Sequence, residues 1–149
     1  MEIKFTKDDS ELKEALEIAL ELKEYFTKEA ITNMNKDFLE NEMIIARDKS
    51  IDGFLCFGIK NNKYEIIWMA VKKDRQDRGI GKNLLDFLVQ YLRDKNVKEL
   101  YVKTLTPEDS YEPYRRTRKF YEKYRFKHLY IEKAAKKGWD NQVVMKLDI

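Results

Sequence analysis

The sequence predicts an α/β fold with a mixed sheet. Short segments that alternate apolar and polar residues are interleaved with segments whose apolar residues recur at i, i+3, i+4 and i+7. The order along the chain is strand, two helices, three strands, helix, strand, helix and two strands, and such interleaving belongs to α/β proteins. No repeat, linker or low-complexity tract interrupts the 149 residues, so one domain is expected over 1–149.

The elements follow in order. Glu2–Thr6 (EIKFT) alternates and reads as the first strand. From Asp8 to Phe26 the period changes. Leu12, Ala15, Leu16 and Ala19 form one apolar stripe, with Asp9 or Ser10 as the expected cap. Thr27–Asn41 reads as a second helix capped by Thr27. Glu42–Asp48, Ile51–Lys60 and Tyr64–Val71 read as strands, the last two joined by a hairpin across Asn61 and Asn62. Ile80, Leu84, Leu88 and Leu92 stack at i+4, with Leu85 widening the stripe, in a helix reaching about Lys95. Val97–Leu105 is a strand, and Thr106–Tyr114, which holds both prolines, a loop. Arg115–Tyr124 is a short helix, and Phe126–Lys133 and Asn141–Ile149 are the last strands.

Composition narrows the function. Hydrophobic residues make up 43% and charged residues 38%, which excludes a disordered chain and fits a soluble, charge-rich protein. A net charge of +3 does not by itself imply nucleic acid. The single cysteine, Cys56, lies in the apolar run GFLCFGI and reads as a small buried hydrophobe rather than a nucleophile. One cysteine makes no internal disulfide, and one histidine, His128, makes no metal cluster, so no metal is expected and a reducing cytoplasm fits. The N-terminus is charged, unlike a signal peptide, and no run approaches the roughly 18 apolar residues of a membrane span, so no membrane partner is expected.

The chemistry concentrates in VKKDRQDRGIGKNLLDFL, Val71–Leu88. Gly79 and Gly81 stand beside Lys72, Lys73, Arg75, Arg78 and Lys82, at the start of a helix. Glycine lets backbone N–H groups approach an anion, and a helix start offers unpaired N–H groups and partial positive charge. Five cations at that end are disfavoured by the helix dipole, by roughly 0.3–1 kcal/mol each, and Asp74 and Asp77 offset only part of this. A bound pyrophosphate would reverse the balance. A P-loop is excluded: Gln76 stands where its first glycine belongs, and Asn83 replaces the magnesium-binding hydroxyl. A dinucleotide fingerprint fails at Leu84, its third glycine position.

Gln76-Asp77-Arg78-Gly79-Ile80-Gly81 instead resembles the Q-x-x-G-x-G pyrophosphate motif of the GNAT superfamily of acyl-CoA N-acyltransferases. A second signature of that family, a short helix ending in a phrase like FYEK-x-GF, is matched downstream by KFYEKYRF. The resemblance extends over nearly the whole strand and helix order. It implies a mostly antiparallel central sheet with helices on both faces, and transfer of an acetyl group from acetyl-CoA to an amine without a metal or covalent intermediate. It also implies that Ala70 and Val71 at the strand end, Arg75, Gln76, Asp77, Arg78, Gly79, Ile80, Gly81 and Lys82 in the loop, and Thr117 bind the donor.

Two proton transfers would then be needed. An amine with pKa ~10.4 must lose a proton before it attacks, and the leaving thiolate must gain one. Glu65, eleven residues before Gln76, matches the position where some histone-acetylating members carry their base. Alternation would put it on one face with Ile67 and Met69, opposite Ile66, Trp68 and Ala70. Tyr121 matches the family's thiolate-protonating tyrosine. Arg125 replaces the usual glycine of the second motif, Tyr114 a frequent asparagine and Thr117 a frequent alanine. Glu108, Asp109 and Glu112 form an acidic loop near the acceptor channel of related folds and would attract a cationic small-molecule or peptide amine. A homodimer is compatible with this reading.

Two other readings stand beside it. The chain could be a CoA-binding regulatory domain without turnover. The basic and aromatic stretch YRRTRKFYEKYRFKHLY could instead bind nucleic acid, although its aromatics mix helix and strand positions and include core residues.

Overall fold

The computed structural model describes residues 1–106, 111–136 and 140–149. Its elements are β1 (Glu2–Phe5), α1 (Asp9–Glu21), α2 (Lys28–Glu40), β2 (Glu42–Arg47), β3 (Ile51–Lys60), β4 (Lys63–Val71), α3 (Ile80–Asp94), β5 (Glu99–Leu105), α4 (Glu112–Lys123), β6 (Lys127–Glu132) and β7 (Gln142–Asp148). That is the order expected from the sequence. The seven strands form one sheet, β1-β2-β3-β4-β5-β7-β6, in which only β4 and β5 run parallel.

Each face of the sheet carries its own core. On one face Leu84, Leu85, Leu88 and Leu92 of α3 and Tyr121 of α4 pack on Ile44, Leu55, Ile66 and Val102. On the other, Leu12, Ala15, Ile18 and Ala19 of α1 and Met34 and Phe38 of α2 pack on Met43, Ile45, Phe54 and Cys56. Leu16, counted in the α1 stripe, is only partly buried, and Ile18 completes the buried face. The Asn61–Asn62 hairpin forms as expected. Lys60 pairs with Lys63, and both asparagines take positive φ, 52° and 64°, as a two-residue type I′ connection requires.

Several boundaries depart from expectation, most by a single residue, and β5 begins at Glu99, two residues late. Asp8, rather than Asp9 or Ser10, caps α1, its Oδ1 accepting the Glu11 N–H at 3.0 Å. Three adjacent residues can all cap, and only backbone direction selects one. α1 ends at Glu21, and Leu22 turns into the core instead of continuing the helix. β1 ends at Phe5, one residue early. α4 begins at Glu112, so Pro113 opens a helix, where its fixed φ and missing N–H are tolerated.

The departure that matters most lies inside β4. Cys56 of β3 pairs with Trp68, but its neighbour Phe57 pairs with Ile66, leaving Ile67 as the extra residue of a β-bulge. The alternation expected for β4 breaks there. Ile66, Met69 and Val71 share the α3 side, while Ile67, Trp68 and Ala70 share the α1 side. The pairing of β4 with β5 stops at the same point: Glu65 pairs with Tyr101 and Ile66 with Val102, and no further pair follows. A bulge adds local twist and bends its strand, which turns the end of β4 away from β5.

Candidate active site

The gap between β4 and β5 leads to the N-terminus of α3. A 3₁₀ turn (Lys73–Arg75) and the residues Gln76 to Gly79 connect β4 to the helix. Gln76 ties this loop down. Its Nε2 donates to the Val71 carbonyl at 3.1 Å, and its Oε1 lies 3.4 Å from Nη2 of Arg116 on α4. Asp77 and Gly79 both take left-handed backbone conformations, with φ 62° and 81°.

α3 differs from the first two helices at its start. α1 is capped by Asp8 and α2 by Thr27, and each has acidic residues in its first turn. α3 starts at Gly79 with no side-chain cap and no acidic residue in the first turn. Its leading N–H groups therefore lack side-chain acceptors. A Cβ built on Gly79 would meet nothing within 4 Å. That is the open space a phosphate group needs, so these residues fit the phosphate end of an acyl-CoA.

The two glycines have different reasons to be there. Gly79 is required by its positive φ. Gly81 has ordinary helical geometry, but a Cβ on it would lie 3.2 Å from Cε1 of Phe120 and 3.4 Å from Cε of Met69. Gly81 lets α4 lie close against α3, a packing role that its spacing in the motif did not reveal.

The surrounding cations are not equally available. Arg75 Nε lies 3.8 Å from the buried carboxylate of Asp52, Lys73 Nζ 3.7 Å from Glu24, and Lys82 Nζ 2.8 Å from Asp86. Lys72 and Arg78 make no side-chain ion pair or hydrogen bond among the described residues, and Arg78 is exposed. Of the predicted donor-binding residues, Ile80 and Ala70 are buried in the two cores. Thr117 donates to the Pro113 carbonyl at 3.1 Å within its own helix.

Tyr121 lies under this loop. It is buried, with its ring edge-on to Phe120 and Phe126, both at 5.2 Å between centroids. Its hydroxyl donates to the Met69 sulfur at 3.7 Å. Burial pushes the phenol above its usual pKa, so the proton stays on oxygen at neutral pH. The bulge at Ile67 is what turns Met69 toward Tyr121.

The helix end that holds Tyr121 is a Schellman motif. Arg125 N–H bonds the Glu122 carbonyl at 3.0 Å, Phe126 N–H bonds the Tyr121 carbonyl at 3.0 Å, and Arg125 takes φ 87°. Arginine accepts the conformation that glycine would adopt freely, at a cost on the order of 1 kcal/mol.

Glu65 is half-buried and pairs with Tyr101, one row before Ile66–Val102, the last pair ahead of the gap. Its neighbour Ile66 packs with Tyr121, so Glu65 points to the opposite face of the sheet. Burial raises its carboxyl pKa, and the charges of Lys103 and Lys60 oppose this only in part.

Cys56 is fully buried, and burial pushes its thiol up to about 12, which disfavours the thiolate that a nucleophile needs. Among the described residues no cluster of three or more His, Cys, Asp or Glu side chains could hold a metal, and no helix is long and apolar enough to cross a membrane.

Among the acidic loop residues, Glu108 and Asp109 lie outside the described residues. Glu112 is the first residue of α4, with Oε2 3.9 Å from Nη1 of Arg115. Two features were missed from sequence. Arg118 is buried and donates to the Leu105 and Thr106 carbonyls at 3.1 and 3.0 Å, fixing the end of β5 to α4. It stands one turn before Tyr121 on the same helix face, a spacing that could have flagged it. Tyr25, between α1 and α2, lies within the electrostatic reach of Arg116, Asp77 and Glu112. Burial raises its phenol pKa, and Arg116 opposes the shift.

Four of the six aromatic residues of the basic stretch are taken up by the core, while Tyr130 is exposed. Tyr121 and Phe126 belong to the core, and Phe120 and Tyr124 pack against it.

Residues 39–128 match the family model of the acetyltransferase (GNAT) domain. The chain belongs to the GNAT acetyltransferases. A search of curated proteins finds no match. Solved structures of the same fold include a protein described as a GNAT-family acetyltransferase from Desulfovibrio desulfuricans, 21% identical, covering 99% of each chain with a TM-score of 0.83. They include an aminoglycoside 6'-N-acetyltransferase complexed with coenzyme A, 16% identical over 99% of this chain and 97% of that one, TM-score 0.76. The Escherichia coli ribosomal-protein-S18-alanine N-acetyltransferase is 17% identical over 99% and 94%, TM-score 0.74.

Proposed function

We propose that this GNAT domain transfers an acetyl group from acetyl-CoA to a primary amine by direct attack of the amine. The observation that carries the reading is the β4–β5 gap opening onto a helix N-terminus with no cap, no acidic first turn and free space at Gly79. In this reading the edge of β4 at Ala70 and Val71, the amides from Gly79 to Lys82, and Arg78 hold the donor. Arg75 and Gln76 keep the loop in shape through Asp52 and Val71. Acetyl-CoA, when bound, supplies the activated acyl group.

Tyr121 keeps its proton and gives it to the leaving sulfur. Glu65, with a raised pKa, takes the amine proton from the other side of the gap. An amine with pKa ~10.4 is almost wholly charged at neutral pH, so the acceptor arrives as a cation. Glu112, together with Glu108 and Asp109, would favour it. The solved relatives act on an aminoglycoside and a ribosomal-protein alanine, and both small-molecule and peptide amines suit this reading.

The test is release of free thiol from acetyl-CoA across a panel of small amines and peptide N-termini, read with an aromatic disulfide reagent. Cys56 should not interfere. The native protein should stay unlabelled by the reagent, and the unfolded protein should take up one equivalent, because the only thiol is buried. Tight acetyl-CoA binding without thiol release on any amine would replace this reading with a regulatory CoA-binding role.

Glu65→Gln separates base from structure. A raised pKa means that the folded state disfavours the carboxylate, so Glu65 costs stability as pH rises through the carboxylate range. The uncharged glutamine should therefore leave Tm unchanged or slightly higher at pH 7. Turnover should fall at least about tenfold, and the acid limb of the kcat/KM profile assigned to Glu65 should disappear. Wild-type turnover in Glu65→Gln would pass the role to water.

A further inference from the structure

A second cleft lies well away from the site described above. It has a volume of about 560 Å³ and is walled by the C-terminal half of α3, the end of α4, the start of β6 and the end of β7. Along α3, Arg93 is fourteen residues from Gly79, about 20 Å down the helix axis. The two sites therefore face different ends of the sheet.

The chemistry of this cleft is cationic. Arg93, Arg125 and Lys127 line it, and among the described residues their side chains make no ion pair or hydrogen bond. Both carboxylates on its wall are already engaged. Asp86 takes Lys82 at 2.8 Å and the Tyr124 hydroxyl at 2.5 Å, and Asp148 takes Lys146 at 3.3 Å. The floor is apolar, with Val89 and Leu147 lying buried beneath the rim. The ring of Tyr124, half-buried, forms part of one wall.

Arg125 is the informative residue. It occupies the left-handed position of a Schellman cap, φ 87°, where glycine is unstrained. Backbone strain kept at such a position is a reason to look for what the side chain does. Here the side chain lines a cleft with two other uncompensated cations. Arg93 alone is explained by the negative end of α3, where a cation is favourable. That account does not extend to Arg125 or Lys127.

We infer that this cleft binds a small organic phosphate, its phosphates held by Arg93, Arg125 and Lys127 and its flat or apolar part lying on Tyr124 and the Val89–Leu147 floor. The volume falls in the range of small-molecule sites, about 300–1,000 Å³. Guanidinium groups match phosphate oxygens in paired hydrogen bonds, which favours a phosphate over a diffuse polyanion. A concave site with an apolar floor suits a small ligand better than a flat membrane or a nucleic-acid backbone. Through Tyr124, Asp86 and Lys82 the cleft is joined by hydrogen bonds to the first turn of α3. The binding site itself does not depend on the acetyl-transfer reading.

The experiment is calorimetric titration of ADP into the whole protein and three variants, with Tm measured on each. Arg125→Gly deletes one phosphate contact and relieves the left-handed strain. It should weaken ADP binding at least about tenfold while Tm stays level or rises by about 2–4 °C. Arg93→Gln should weaken binding similarly with the cap intact. Arg78→Gln, at the other phosphate site, should bind ADP in this cleft as the wild type does. Any of three results overturns the proposal: no ADP binding by the wild type, wild-type affinity in both Arg125→Gly and Arg93→Gln, or binding abolished by Arg78→Gln alone. The last would put ADP on the α3 N-terminus.

Discussion

Tyr121→Phe is expected to lower turnover at least about tenfold while acetyl-CoA affinity stays near wild type. A positioned acid typically contributes about 10²–10⁴-fold to rate. An interaction used only as the thiolate leaves is lost from kcat and not from ground-state binding. The surroundings of Tyr121 make this a clean substitution. The ring contacts with Phe120 and Phe126, both at 5.2 Å, survive in phenylalanine. The hydroxyl's partner is the Met69 sulfur at 3.7 Å, a weak acceptor that does not require a donor. No strong buried acceptor is left unsatisfied, so the stability cost should stay below about 1 kcal/mol, within the usual net worth of a hydrogen bond. Turnover at the wild-type level, measured where chemistry limits the rate, would end the assignment and leave water or a backbone group as the proton source.

The same neighbourhood shows what the sequence could and could not reveal. Position in a pattern was readable wherever one residue type had one physical reason. Ile80, Leu84, Leu85, Leu88 and Leu92 recur at helical spacing because one face of α3 must be apolar, and all five are buried. Asn61 and Asn62 announce their turn because few other residues accept two positive φ angles. The bulge at Ile67 was not readable. Ile66, Ile67, Trp68 and Met69 are all apolar, so a slip of one residue changes which core each joins without leaving a polar residue stranded. Yet that slip ends the β4–β5 pairing and brings Met69 to Tyr121. Arg125 was visible as a departure from the family pattern, but its cost could be weighed only once the cap was seen to form with φ 87°. From sequence Glu112 falls in a loop that holds both prolines, whereas proline in a first helical turn is as natural as proline in a loop.

Gly79→Ala and Gly81→Ala should fail in different ways, although the motif presents the two glycines as a pair. At Gly79 the added methyl enters open space in front of the α3 amides, where a phosphate would sit, and at φ 81° it forces a left-handed alanine. The strain should cost about 1–2 kcal/mol, a Tm decrease of roughly 2–8 °C. The larger effect should be on the donor, whose affinity should fall at least about tenfold because the backbone can no longer come close to the anion. At Gly81 the backbone is helical and alanine is the better helix former. There the methyl meets Phe120 at 3.2 Å and Met69 at 3.4 Å, the residues that flank Tyr121. α4 must shift by a few tenths of an ångström, moving the acid more than the cradle. Gly81→Ala should therefore lose kcat in larger proportion than acetyl-CoA affinity, and a positioned group can lose up to about 10²-fold from a 1 Å displacement. Equilibrium binding of acetyl-CoA, measured beside single-turnover thiol release, reads the two effects separately. Equal losses of affinity in both variants, with kcat untouched in Gly81→Ala, would return Gly81 to the cradle and leave its contact with Phe120 without a catalytic consequence.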